Sequence, residues 1–460
     1  MTAPSDGLGT VRILASNATT ASGSMNATTK YFYRKRDDRA WQPLSAVATD
    51  AVGLTSGFEP LAVDPALNVA YGFDDLEGRS ALFRIALDGS LKREVVLSRP
   101  DVDVDQLVRI GRQQRVVGAA YTTDRTEAVY FDPELKSLHD ALLRALPGDK
   151  TISFIDATAD EKQLIVFAGG DADPGTYYLF EKATKHLALL LPARPQLHDV
   201  RLASVKSITY KATDGTVIPA YLTLPPGSDG RHLPAIVMPH GGPGDRDTWG
   251  FDWWAQYFAN RGFAVLQPEF RGSTGYGAQW YQKNGFQSWR TAIGDVVDAG
   301  RYLLSSGIAE RDKLAVVGWS YGGYAALQSA VTAPDLFKAV IAVAPVTDLE
   351  MLRSESRGFT NFAQTDRFIG HGKHIEEGSP AQNAAAINAP VLMFHGDKDQ
   401  NVGVAESRLM ERKLRGVGKQ VDYVEFKGLD HQLLDDDARA DMLDRSDRFL
   451  RTALRLVSKS

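Results

Sequence analysis

The chain has 460 residues, 43% of them hydrophobic and 24% charged, which is enough apolar material for two globular domains rather than one. A formal net charge of -5 without a long run of Lys or Arg argues against an electrostatic grip on nucleic acid. The absence of cysteine excludes a thiol nucleophile, a thiolate metal site and any disulfide staple.

Residues 1–7 lack a basic stretch followed by an apolar one, and no apolar run is long enough for a bilayer. The expectation is a cytoplasmic chain that does not enter a membrane, or a periplasmic or secreted one if an export signal lies upstream. Up to about residue 200, short β-rich runs alternate with turn residues. Tyr31-Phe32-Tyr33, 81–86, 128–131, Leu164-Ile165-Val166-Phe167 and 176–180 read as strands, separated by Asp88-Gly89, Asp132-Pro133 and Asp173-Pro174-Gly175. Similar units recur about every 45 residues, the length of a propeller blade of four short strands. The expectation for 1–200 is a β-propeller-like domain of about four blades, short or incomplete, with a β-sandwich as the alternative.

From 201 to 460 the pattern changes. A hairpin around Asp214-Gly215 comes first. Five buried-strand runs follow, at 235–238, 264–266, 314–317, 339–343 and 391–394, with helical patterns at 253–260, 291–304, 321–330, 405–414 and 438–456. Continuous Val/Ile/Leu/Ala runs suit parallel strands covered on both faces, so this half reads as an α/β domain.

Gly318-Trp319-Ser320-Tyr321-Gly322 follows one of these strands and opens a helix. A strand-to-helix turn this sharp needs small neighbours and lifts the serine hydroxyl above the sheet, as in the α/β-hydrolase fold. Ser320 could instead serve only as a helix cap, but a cap does not call for glycine two residues away on both sides. A neutral serine needs a base, and in this fold the chain order is Ser, then Asp or Glu, then His. Of the four histidines after Ser320, His395 precedes the candidate acids and His371 and His374 sit in a charged loop before the strand. Only His431 follows both Asp397 and Asp399. Spacing does not choose between those two acids, and Asp430 is a weaker third. The oxyanion of an acyl-transfer intermediate would be met by the backbone N–H of Tyr321 and by that of Gly242, in the loop Pro239-His240-Gly241-Gly242-Pro243. This chemistry calls for no cofactor and no metal.

Taken together, these residues resemble the prolyl oligopeptidase family of serine peptidases, especially its acylaminoacyl peptidase and dipeptidyl peptidase-like branch. The resemblance covers about 205–455. It rests on His240-Gly241-Gly242-Pro243, Phe270-Arg271-Gly272-Ser273-Thr274-Gly275-Tyr276-Gly277, Gly318-Trp319-Ser320-Tyr321-Gly322-Gly323-Tyr324, Ala344-Pro345-Val346, His395-Gly396-Asp397-Lys398-Asp399-Gln400-Asn401-Val402 and Asp430-His431. The family pattern His-Gly-x-x-Asp-x-x-Val puts the acid on Asp399. The resemblance implies cleavage of peptide or acyl-peptide bonds through an acyl-enzyme, with an N-terminal propeller that restricts access to short substrates. A moderately apolar pocket for the substrate side chain is expected near Met351, Leu352 and Phe359. The partner is then a peptide or acyl-peptide substrate, with no nucleic acid and no membrane, and a homo-oligomer is compatible with it. Two other readings stand beside this one, a carboxylesterase with the same triad and a catalytically inactive propeller that binds partners.

Three further patterns carry less. Gly272-Ser273-Thr274-Gly275-Tyr276-Gly277 lacks both the dinucleotide glycine order and a P-loop Lys. His371-x-x-His374 reads as a solvated loop. Asp295 and Asp298 read as helix-surface or capping acids, and Arg271 as a brace beside the site.

Overall fold

A computed structural model describes residues 4–20, 23–50, 52–281 and 286–456. The first three residues of the opening segment lie outside it. The chain divides into two compact units: residues 1–200 with two short later stretches, 248–251 and 275–279, and the remainder of 201–460.

Among the described residues, the first unit is a β-rich, propeller-like array of four antiparallel sheets with an α-helix. The sheets begin at Ile13, Glu59, Val104 and Thr151, about 45 residues apart, as expected for blades. Three have four strands and the third has three, Val104–Ile110, Arg115–Thr122 and Thr126–Tyr130. Alternation along each strand turns one row inward, so that successive sheets share an apolar seam. Ile13, Tyr33 and Phe83 fill the first seam, Tyr71, Leu82 and Val104 the second, and Ile110, Phe154 and Leu164 the third.

Two expected turns depart from the sequence reading: Asp173-Pro174-Gly175 opens the strand Asp173–Glu181, and Asp132-Pro133 opens a helix. Asp132-Pro133, taken as a turn, opens the helix Pro133–Ala145: Asp132 accepts from the N–H groups of Glu134 and Leu135, and Pro133 occupies the first turn. Asp-Pro suits a turn and a helix start equally, and burial of Leu135 and Leu142 against the third seam decides between them.

The second unit is built on one eight-stranded sheet. Its strands are β1 (Val205–Lys211), β2 (Val217–Thr223), β3 (Leu233–Val237), β4 (Ala264–Pro268), β5 (Ala309–Trp319), β6 (Ala339–Val343), β7 (Val391–Gly396) and β8 (Val421–Phe426). They lie in the order β1-β2-β4-β3-β5-β6-β7-β8. The opening hairpin β1-β2 is antiparallel, as is β2-β4, and the remaining pairs are parallel. Helices α1 (Trp253–Asn260), α2 (Trp289–Ser305), α3 (Tyr321–Thr332), α4 (Leu349–Glu355), α5 (Phe362–Ile369), α6 (Ala405–Gly416) and α7 (Asp436–Ala453) connect them. Strands β6 and β7, and β3 and β5 over Ala235–Val237 and Leu314–Gly318, are buried on both faces, which is why those stretches are mostly apolar runs. One face packs on α2 and α3, the other on α1 and α7. Among the described residues, no helix is long and apolar enough to cross a membrane.

Arg271, just after β4, braces this unit. Its guanidinium donates to both oxygens of Asp295 on α2 (2.9 and 2.6 Å) and to Asp214 in the β1-β2 turn (2.6 Å). Asp295 and Asp298 therefore do not lie on the helix surface and do not cap. Asp295 is fully buried against Arg271, and Asp298 accepts from the N–H and hydroxyl of Thr213. They share an inward face of α2, where charge is tolerated because each acid has fixed donors.

Candidate active site

The polypeptide leaves β5 at Trp319 and enters α3 at Tyr321, so Ser320 alone makes the turn. Its φ of 58° and ψ of -120° are costly for a residue with a Cβ, about 1–3 kcal/mol. The surroundings impose it: Ser320 N–H donates to Val343 C=O at 2.8 Å, and Ser320 C=O accepts from Tyr324 N–H at 3.0 Å. Glycine is required on both sides. A Cβ on Gly318 would stand 2.1 Å from Gly322 O, and one on Gly322 2.2 Å from Pro239 O. The Ser320 side chain makes no capping hydrogen bond to α3, so the helix-cap reading fails and the partly exposed hydroxyl is left for other work.

His431 lies in the turn between β8 and α7. Its Nδ1 sits 2.6 Å from Asp399 Oδ2, in the loop after β7. Since a carboxylate only accepts, Nδ1 carries the proton and Nε2 is the basic nitrogen. The indole N–H of Trp319 donates to His431 C=O at 3.0 Å, tying the residue before the serine to the histidine's backbone. Asp397 is engaged elsewhere and accepts from Gly428 N–H at 2.6 Å. Burial by itself would raise the Asp399 carboxyl. The hydrogen bonds from His395, His431 and Val402 N–H outweigh it and hold the group well below the usual carboxylate range. Asp399 is therefore ionised near pH 7.

The loop after β3 brings Gly241 against the serine, where a Cβ would come 3.7 Å from Ser320 Cβ. His240 Nδ1 donates to Gly241 C=O at 2.6 Å, and its ring stacks on Phe270 at 4.3 Å. Burial lowers the His240 imidazole to about 4, so the ring is neutral near pH 7. In a planar peptide the N–H points opposite to the C=O. With Gly241 C=O turned to His240, the Gly242 N–H faces away from that ring. Tyr321, the other expected donor, is fully buried and begins α3, whose first N–H groups have no partner within the helix.

The residues expected to form a side-chain pocket do not share one environment. Met351 and Leu352 lie on α4, with Leu352 packed on the main apolar core, whereas Phe359 follows the helix half-exposed. His371 stands 3.3 Å from Asp366, and His374 donates to Ile369 C=O at 2.8 Å, opening a short helix rather than lying in a solvated loop. Sequence reasoning missed two groups. His395, set aside on chain order, places its Nε2 3.1 Å from Asp399 Oδ2. Glu406 on α6 is fully buried, and its Oε2 accepts from the N–H groups of Thr347 and Asp348 in the loop after β6. Its burial pushes the carboxyl up to about 8. A charged residue on an amphipathic helix gives no sign that it faces inward.

Residues 249–456 match the model of the prolyl oligopeptidase family. The chain is similar to dipeptidyl aminopeptidase BIII of Pseudoxanthomonas mexicana, at 28% identity over 88% of this chain and 62% of that protein. It is also similar to dipeptidyl peptidase family member 6 of Caenorhabditis elegans, at 28% identity over 75% of this chain and 52% of that protein. The chain thus spans between half and two thirds of these relatives' lengths. Among solved structures, a puromycin-hydrolyzing peptidase of Mycobacterium tuberculosis superposes with a TM-score of 0.73 at 21% identity, over 96% of this chain and 70% of that one. An acylaminoacyl peptidase of Pyrococcus horikoshii gives 0.69 at 18% identity, over 97% and 72%. Those structures share the fold, and the family match lies on the unit that carries the Ser320 elbow and the His431–Asp399 pair. Over residues 249–456, the α/β unit of this chain thus matches the prolyl oligopeptidase family.

Proposed function

We propose that this protein is a serine peptidase that hydrolyses short or N-acylated peptides through an acyl-enzyme on Ser320, with His431 as base and Asp399 as its orienting acid. The observation that carries the reading is the 2.6 Å contact between His431 Nδ1 and Asp399 Oδ2, which leaves Nε2 basic in the histidine tied through Trp319 to the Ser320 elbow. In the first half-reaction Ser320 Oγ attacks the peptide carbonyl and its proton passes to His431 Nε2. The negative charge that develops on the carbonyl oxygen is met by the N–H groups of Gly242 and Tyr321. His431 then returns the proton to the departing amine. Water repeats the sequence to release the acid and restore the serine. Asp399, ionised throughout, stabilises the imidazolium formed midway.

A fluorophosphonate probe tests the nucleophile: the wild type is labelled, and Ser320→Ala is not although it keeps the native circular dichroism. Labelling that survives the substitution excludes Ser320. A panel of N-acetyl, free-amine and internal peptides beside a simple acyl ester tests the substrate class, and turnover of the ester alone would favour a carboxylesterase.

A further inference from the structure

His395 is the penultimate residue of β7, four before Asp399, and is fully buried. Its Nε2 faces two groups that can only accept, Val402 C=O at 2.9 Å and Asp399 Oδ2 at 3.1 Å. Its Nδ1 lies 2.8 Å from the hydroxyl of Ser407, itself fully buried. One arrangement of protons satisfies all three contacts in a neutral ring: Nε2–H shared between the two acceptors, and Ser407 O–H donating to Nδ1. Asp399 then receives four donors. Asn401 N–H and Val402 N–H reach Oδ1 at 2.8 and 2.9 Å, while His431 and His395 converge on Oδ2 at 2.6 and 3.1 Å.

We propose that His395 is a positioning residue for the orienting acid: its Nε2–H shares Asp399 Oδ2 with His431, fixing the carboxylate plane and limiting how strongly that oxygen holds a proton on His431. The inference rests on the peptidase reading of Ser320, His431 and Asp399. The other carboxylates that bear on the pair have partners of their own. Glu355, at the end of α4, accepts from Gly403 N–H at 3.1 Å, and a Cβ on Gly403 would collide with its carboxylate. Glu406 on α6 serves Thr347 and Asp348, Glu425 on β8 accepts from Arg408 at 2.9 Å, and Asp397 serves Gly428. Among the described residues, His395 Nε2 thus stands beside His431 Nδ1 as a side-chain nitrogen against Asp399 Oδ2, at 3.1 and 2.6 Å.

The consequence is electrostatic. Without the second imidazole, more charge remains on Oδ2 and a protonated His431 is stabilised to higher pH. In His395→Phe the ascending limb of kcat/KM against pH moves upward by about half to one unit, and kcat falls about tenfold or more. His395→Gln, whose amide N–H reaches toward the same oxygen, brings the limb most of the way back. A purely space-filling role would lower the rate in both variants and leave the limb where it was, which would overturn the proposal. Imidazole nitrogen NMR on the unsubstituted protein at pH 8 is independent of either variant's folding. An Nε2-protonated tautomer for His395 supports the hydrogen bond, and an Nδ1-protonated one refutes it. Fluorophosphonate labelling of the wild type separates the two readings. An unlabelled wild type removes the peptidase, whereas a labelled wild type with an unmoved limb in His395→Phe removes only this inference.

Discussion

Replacing Asp399 by Asn tests the acid most sharply, because the carboxylate's four donors allow an amide no good orientation. If the amide oxygen takes the place of Oδ1, it keeps the N–H groups of Asn401 and Val402, and the NH2 faces the two imidazoles at 2.6 and 3.1 Å. His431 must then accept at Nδ1 and carry its proton on Nε2, the tautomer that cannot take a proton from Ser320. If the amide is reversed, NH2 opposes two backbone donors and the loop must shift. In another serine protease the same change costs about 10⁴ in kcat. A loss of this order, roughly 5.5 kcal/mol of transition-state stabilisation, is expected here. Asp397→Asn is the control, since Asp397 contributes one hydrogen bond to Gly428, and its rate should stay within about threefold. The assay is kcat/KM on a peptide anilide at pH 8, with thermal denaturation to show that both variants fold. Asp399→Asn within tenfold of wild type, or a thousandfold loss in Asp397→Asn instead, would refute the reasoning.

Three other outcomes concern stability. Arg271→Ala strands the fully buried carboxylate of Asp295 and should cost about 3–5 kcal/mol in urea unfolding, with Asp295→Asn recovering part in the double variant; a cost below about 1 kcal/mol would contradict the brace. Glu406, at about 8 when folded against an ordinary value of 4.5, binds a proton in the native state that the unfolded chain releases between those pH values. Its contribution is neutral below about pH 4.5, grows more unfavourable up to about pH 8 and is constant above. Glu406→Gln should therefore gain stability relative to wild type as pH rises from 5 to 9, by roughly 5 kcal/mol at most, and urea midpoints that run parallel across that range would argue against it. Gly322→Ala drives a Cβ to 2.2 Å from Pro239 O, so it should lower the midpoint of thermal unfolding by several degrees and abolish labelling at Ser320.

The parts of this protein written in local pattern were readable without coordinates. Period-2 runs with turn residues every 45 or so mark the blades, and apolar runs alternating with amphipathic stretches mark the parallel sheet. Gly318 and Gly322 around Ser320 announce a turn that only small neighbours permit. Each of these signals is short-ranged, because strand, helix and turn preferences act within a few residues. Tertiary structure decided what depends on which distant groups meet. Asp397 and Asp399 are alike in sequence, yet one faces Gly428 N–H and the other His431 Nδ1, since β7 and β8 run in register and place their loops side by side. Arg271 meets Asp295 across 24 residues, and Thr347 meets Glu406 across 59. Chain order removed His395 from the search for a base. Its contact with Asp399, four residues on, depends on the turn after β7, where Asp399 N–H donates to Gly396 C=O at 3.3 Å.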